Sequence, residues 1–207
     1  MKNIFLYPFY ILIHPFETID DLYYYRKKAV SVYVSMLVLL LWVVVTIIKF
    51  EATGYLYNPD YFEGVSIYNV LIQTILVFSL WVVANWGFCE MIDGSASFKE
   101  IWVLSAYCLM PYILMTLINT LISNVLIQQE YFYIAWLNYI GIGWTAILII
   151  ASLKTFHGFF LPKTLGSIAI TFIGMLSIVF IGILAYSLYQ QLLFTFRTIY
   201  YEIILRI

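Results

Sequence analysis

Five long apolar runs constrain the fold of this chain more than any other feature of its sequence. Crossing about 30 Å of hydrocarbon takes about 20 helical residues. The runs that reach this length are residues 29–49, 67–91, 101–128, 132–153 and 165–190. In lipid every backbone N–H and C=O group must be paired within the protein, so a continuous run of this kind forms a helix. The sequence therefore predicts an all-α integral membrane protein, built as a bundle of five transmembrane helices.

Composition narrows the classes of function. Hydrophobic residues make up 64% of the chain and charged residues 10%, whereas a soluble domain has about 45–50% and about 25%. The formal net charge is −1 and the basic residues are scattered. The charge distribution excludes the electrostatic footprint of nucleic-acid binding. The high hydrophobic content makes the lipid bilayer the principal partner.

Basic residues near the ends of the spans predict the orientation, because they concentrate on the cytoplasmic side of membrane proteins. With the N-terminus in the cytoplasm, seven basic residues lie inside and three outside. The inner set is Lys2, Arg26, Lys27, Lys28, Lys99, Lys154 and Lys163, and the outer set is Lys49, Arg197 and Arg206. We therefore expect a cytoplasmic N-terminus and an extracellular C-terminus.

Residues 1–28 precede the first span and are predicted to form an N-terminal cytoplasmic interfacial segment. The apolar start contains a proline and lacks the small residues of a cleavage site, so we expect it to be retained rather than removed as a signal peptide. Thr18 is the predicted N-cap of a short helix, with Asp21 three positions on. A basic triplet next to the first span is the candidate for orientation and for docking on anionic lipid or a partner: Arg26, Lys27 and Lys28.

Residues 191–207 follow the last span. Arg197, Glu202 and Arg206 interrupt their apolar pattern, and one charge at mid-bilayer costs about 2.5–3.5 kcal/mol. A sixth span is therefore not expected. The segment is predicted to be a C-terminal amphipathic helix along the outer surface, or else the end of a long fifth helix. Residues 29–190 then form the transmembrane domain.

Motifs of catalysis are missing from the sequence. It contains neither H-E-x-x-H nor G-x-S-x-G, and it has no phosphate-binding glycine loop. The two histidines, His14 and His157, fall short of the three or four ligands that zinc takes. Cys89 and Cys108 lie in apolar runs, where they are expected to pack as small hydrophobic side chains. We therefore expect no enzymatic activity, no bound metal and no cofactor.

Three residues inside the spans are candidates for helix packing or a kink. Asn85 is a candidate for an interhelical hydrogen bond in a packing role. Pro111 is expected to bend the third helix, because it cannot pair with the carbonyl of Tyr107, and Tyr107 itself could line the resulting notch. Glycines in the last two spans allow close approach but form no G-x-x-x-G, so self-association is permitted and not indicated.

A second group of candidates consists of polar residues at the cytoplasmic ends of the spans. Glu90 and Asp93 lie at the inner end of the second span, whereas ion-coupled transporters place ionisable groups near the midplane. With the short loop that follows, they are expected to form a cytoplasmic contact surface. Its members are Glu90, Asp93, Lys99, Glu100 and His157.

Three stretches of this sequence resemble the Yip domain family, the Ypt/Rab-interacting multispanning membrane proteins. They are "HPFETIDDLYYYRKKA", "ANWGFCEMIDGSASFKEIWVLSAYCLMPYIL" and "LKTFHGFFLPKTL". The segment Ala106–Pro111 corresponds to a G-Y-C-x-x-P-like motif of the family's third helix, with alanine in place of glycine. The D-L-x-G-P motif of eukaryotic members has no counterpart, so the chain is most similar to the bacterial branch of the family.

The resemblance implies five helices, a cytoplasmic N-terminus and, for a bacterial member, the cytoplasmic membrane. It also implies a scaffold or adaptor that contacts partners, as the eukaryotic members do with small GTPases. The leading hypothesis is therefore a non-enzymatic membrane scaffold bound to another membrane protein complex. The alternative is an accessory or permease-like subunit of an ABC-type transporter, in which the loop "DGSASFKEIW" would contact the ATPase subunits.

Overall fold

The computed structural model describes residues 4–25, 30–58 and 66–205 of the chain. Within these ranges the protein is helical and contains no strand. We number the eight α-helices of the described residues in chain order: α1 Tyr7–Ile13, α2 Pro15–Tyr24, α3 Val32–Ala52, α4 Ile67–Met91, α5 Phe98–Cys108, α6 Met110–Ser123, α7 Tyr131–His157 and α8 Leu161–Leu205. Three short 3₁₀ turns lie at Ile4–Leu6, Tyr55–Tyr57 and Gln128–Glu130.

Five helical segments are long and apolar enough to cross a membrane, which confirms the predicted fold class. They are Val32–Ala52, Ile67–Met91, Phe98–Ser123, Gln128–His157 and Leu161–Glu202. The predicted bounds differ from these at several ends: the third span ends at Ser123 instead of residue 128, and the fourth continues to His157 instead of residue 153. Composition alone does not mark such ends, because apolar side chains continue into the connecting turns.

The third span is a broken helix at the centre of the bundle. In its most apolar window 61% of the residues are buried within the protein, against 11–28% in the other four spans. The helix is interrupted at Leu109, two residues before Pro111, and the N–H of Leu109 donates to the carbonyl of Ala106 at 3.2 Å. Pro111 has no N–H to continue the α-helical pattern, so the predicted kink has a direct backbone cause.

The N-terminal helices α1 and α2 form a hairpin that packs on one end of the bundle. Helix α1 contacts α5 and α6, and α2 contacts α7. Tyr7, Ile11, Ile19 and Leu22 are buried in the same core as the spans. The interfacial segment therefore packs against protein along one face. We call this end of the bundle the hairpin end and the opposite end the distal end.

The predicted N-cap at Thr18 is wrong. Helix α2 begins at Pro15, and its N-cap position is His14. Proline is favoured in the first turn of a helix because its φ is already helical and its missing N–H would have no partner there. The hydroxyl of Thr18 instead donates to the carbonyl of His14 at 2.6 Å, inside the first turn.

The last helix, α8, includes most of the C-terminal segment. It runs without interruption from Leu161 to Leu205, a length of 45 residues. At a rise of 1.5 Å per residue this is about 67 Å, roughly twice the thickness of the hydrocarbon core. Residues 191–205 therefore continue the fifth spanning helix instead of forming a separate surface helix.

A close helix–helix contact between α6 and α7 generates a first prediction. A Cβ atom at Gly141 would lie 2.9 Å from Cβ of Met115, whereas one at Gly143 would meet nothing within 4 Å. We expect Gly141→Leu to lower the free energy of unfolding by about 1–3 kcal/mol, because overpacking forces the two helices apart. Gly143→Leu is the matched control, and its stability should stay close to that of the natural protein.

The measurement is reversible denaturation of the purified protein in mild detergent. Equal losses of stability in the two variants would contradict the contact, since the helix propensity of α7 changes equally in both.

Candidate functional site

Polar groups gather at both ends of the bundle, and the hairpin end holds most of the residues predicted from sequence. There the loop between α4 and α5 folds over the C-terminus of α7. The Ser95 hydroxyl donates to the carbonyl of Phe156 at 2.9 Å, and the ring of Phe156 packs edge-on against Tyr23 of the hairpin, with centroids 5.5 Å apart. Three elements that are distant in sequence are thereby joined.

His157 is buried beneath this loop. Its side chain is 4% exposed, and neither ring nitrogen has a hydrogen-bond partner. The ring stacks on Phe159 at 5.1 Å, and Lys163 Nζ lies 4.2 Å from the centroid of Phe159. A Cβ atom at Gly94 would lie 2.5 Å from Nδ1 of His157, so a glycine is needed where the loop backbone crosses the imidazole.

The other predicted contact residues are dispersed around this loop. Glu90, Asp93 and Lys99 are exposed, and Asp93 adopts a left-handed φ of 62° in the turn. Glu100 has a structural partner: its carboxylate accepts from the N–H of Ser97 at 2.8 Å and from the Ser97 hydroxyl at 2.9 Å. This is a capping box at the start of α5. Glu100 also interacts electrostatically with the nearby His157.

In the part of the chain that the structure describes, no three His, Cys, Asp or Glu side chains come together to form a metal site. The basic triplet Arg26, Lys27 and Lys28 lies outside the described residues, so its docking role stays a prediction.

On the neighbouring hairpin, burial together with the charge of Asp21 and the proximity of Tyr25 raises the pKa of Tyr7. Tyr7 is therefore a neutral core residue at ordinary pH.

Asn85 makes a hydrogen bond between two spanning helices. It is fully buried, and its Nδ2 donates to the Thr171 hydroxyl of α8 at 3.1 Å. Thr171 in turn donates to the carbonyl of Ser167 at 2.7 Å, which leaves its oxygen free to accept from Asn85. Tyr107 does not line a notch: it is buried in the core, with its hydroxyl 3.5 Å from the carbonyl of Ser31.

The distal end contains a polar pocket that the sequence analysis missed. It is a cavity of about 180 Å³ between α3, α6 and α7. Hydroxyl and amide side chains of α6 form one wall, at positions 116, 119, 120 and 123. This spacing puts them on one helix face, and the pattern was readable in the sequence. Its partners on α3 and α7 were not, because those contacts depend on how the helices pack.

The hydrogen bond between α4 and α8 generates a second prediction. In a double-mutant cycle with Asn85→Leu and Thr171→Val, we expect a coupling energy of about 0.6–1.7 kcal/mol, the range found between membrane helices. Ser177→Ala is the control, because the Ser177 hydroxyl bonds the carbonyl of Ile173 in its own helix. The cycle is measured by unfolding in detergent. If Asn85→Leu showed a coupling energy of similar size with Ser177→Ala, the Asn85–Thr171 hydrogen bond would not be the source of the coupling.

Comparison with known families gives one match. The family model of the Yip1 domain matches residues 9–184, a region that begins in α1 and ends within α8. It includes the hairpin end, the distal pocket and the Asn85–Thr171 contact. Neither curated proteins nor solved structures give a match to the chain.

Proposed function

Because the chain belongs to the Yip1 domain family, an integral membrane family, we propose that it is a non-enzymatic scaffold that binds another membrane protein complex. The observation that carries this proposal is the outer half of α8. The described side chains of this part of the helix, residues 176–204, are exposed. Ile178, Gly182 and Tyr186 face α4 across a cavity, and the rest of this surface is where we expect the partner to pack.

The two halves of α8 differ in their packing. In the first half, Thr171 bonds Asn85, and the ring of Phe88 occupies the space beside Gly174. From Leu176 to Ile204, every side chain that the structure describes is exposed. The first half is therefore anchored to α4, and the second half is available for an external partner.

The length of uncharged helix supports a protein partner in addition to lipid. No charged residue lies between Lys163 and Arg197, so about 50 Å of helix is free of charge. The hydrocarbon core covers about 30 Å, and strong tilt would be needed to submerge the rest. A helix of another membrane protein would cover the excess apolar surface and would offer partners to Arg197 and Glu202.

The orientation of the chain and the identity of the membrane that holds it are part of the same proposal. The distribution of basic residues supports a cytoplasmic N-terminus, and α8 would then carry its exposed half toward the outer face of a bacterial cytoplasmic membrane. The triplet Arg26, Lys27 and Lys28 would dock on anionic headgroups or on the partner at the inner face. An ABC-type transporter is one class of complex that this scaffold would serve.

Site-specific photo-crosslinking in native membranes tests the proposal. A crosslinking amino acid at Phe194 or Phe196 should give one defined heavier species that contains an integral membrane protein. Phe172 is the matched control: it is an exposed phenylalanine in the anchored half of the same helix, and we expect no protein crosslink from it. Arg197→Glu should reduce the yield at Phe194 several-fold, because it removes a charged partner of the complex.

Two results would contradict the scaffold role. One is crosslinking of lipid alone at all three positions. The other is solute transport by the purified protein in liposomes without any partner. Recovery of ATPase-bearing subunits with the crosslinked protein would identify the complex as an ABC-type transporter.

A further inference from the structure

The distal pocket has a hydrogen-bonding character that points to a ligand, independently of the scaffold role. Three of its hydroxyl groups already donate their protons to backbone carbonyls. Thr53 donates to the carbonyl of Lys49, Tyr57 to that of Ile127, and Thr120 to that of Thr116 at 2.9 Å. A hydroxyl that donates to the backbone retains its oxygen lone pairs, so these side chains can offer acceptors to the pocket.

Tyr57 keeps its proton at ordinary pH. Burial, together with the negative charge of Glu130, raises the pKa of the Tyr57 phenol. Its ring also stacks on that of Tyr131, with centroids 6.2 Å apart, so both rings form a fixed edge of the pocket.

Asn119 adds an acceptor with no partner. Its Nδ2 donates to the carbonyl of Ile134 at 2.9 Å, while its Oδ1 is buried and unbonded. A buried acceptor that loses water without gaining a donor is unfavourable by about 1–3 kcal/mol. A ligand hydroxyl in the pocket would relieve this cost if the amide turned its Oδ1 toward the cavity.

Lys49 supplies the positive charge. It lies in the last turn of α3 and, among the described residues that line the pocket, it is the sole charged side chain. No ion pair joins it to another described residue. Its ammonium group carries three donors and no acceptor, so it complements an anionic oxygen.

These features together restrict the chemistry of the ligand. Lys49 disfavours a cation, and the four acceptors disfavour an anion that has no donors of its own. We propose that the distal pocket binds the phosphoglycerol group, in which the phosphate contacts Lys49 and the two free hydroxyls donate to two of the acceptors offered by Thr53, Tyr57, Thr120 and Asn119. At about 10–15 Å³ per water position, a cavity of 180 Å³ has room for a group of this size.

Two sources of phosphoglycerol fit this site. One is the headgroup of a phosphatidylglycerol lipid, since Lys49 lies in the last turn of a helix long enough to span the membrane. The other is soluble glycerol 3-phosphate. The chemistry of recognition is the same in both cases, and binding experiments separate them.

The first experiment uses the purified full chain in neutral detergent and needs no variant. Thermal stability is measured with short-chain phosphatidylglycerol, glycerol 3-phosphate, inorganic phosphate and glycerol. We expect a saturable rise in the unfolding temperature with at least one of the first two, and none with phosphate or glycerol at the same concentration. A response to the lipid alone assigns the headgroup as the source, and a response to glycerol 3-phosphate alone assigns the soluble compound.

The second experiment assigns the residues. Lys49→Gln should weaken binding about tenfold or more, because it removes a charge-assisted hydrogen bond. Thr120→Val should weaken it several-fold, since it removes an acceptor of the pocket. Lys154→Gln and Thr198→Val are the matched controls: Lys154 is an exposed lysine at the hairpin end, and Thr198 bonds only the carbonyl of Phe194 in its own helix.

Three results would each overturn the proposal. The first is stabilisation of the natural protein by inorganic phosphate or glycerol alone that equals the effect of the phosphoglycerol compounds. The second is binding by Lys49→Gln and Thr120→Val as tight as that of their controls. The third is the absence of stabilisation by both phosphoglycerol compounds.

Discussion

The requirement that every backbone amide and carbonyl be paired in hydrocarbon is the constraint on which this structure depends. It makes each long apolar run a helix, and it decides where a helix can break. The interruption at Leu109 lies in the most buried span, between Cys108 and Met110, both of which belong to the core. Irregular backbone at this depth is tolerated because protein surrounds it. The central helix can therefore bend where a lipid-facing helix could not.

The same constraint separates the polar side chains of the spans into those that bond their own helix and those that bond a neighbouring helix. Many serine and threonine hydroxyls in the spans bond a carbonyl of their own helix, as Thr46 bonds that of Trp42 at 2.8 Å, and such bonds say little about packing between helices. Bonds between helices are more informative: Asn85 joins α4 to α8, and the Sγ of Cys108 lies 3.3 Å from the Ser152 hydroxyl of α7. Buried polar atoms left without any partner, as in Asn119 and His157, mark places where stability alone does not explain the residue.

Much of the fold could be predicted because its signals are local. Runs of apolar residues showed the five spans, and a single buried amide at position 85 predicted an interhelical bond. The remaining differences have two causes. At the start of α2 a second local signal, Pro15, overrides Thr18. The distal pocket was missed because it requires Lys49, Asn119 and Tyr57 to meet from three separate elements, and such distant contacts leave no local pattern.

The hairpin of α1 and α2 has a consequence for biosynthesis. Its buried residues pack on α5, α6 and α7, all of which are translated after it. At about 5–20 residues per second, the interval between residue 24 and residue 157 is roughly 7–27 s. During this time the native surface that covers the hairpin is incomplete: α1 gains α5 and α6 first, and α2 gains α7 last. The newly made N-terminus must therefore rest on the membrane or on a chaperone until the fourth span has been inserted.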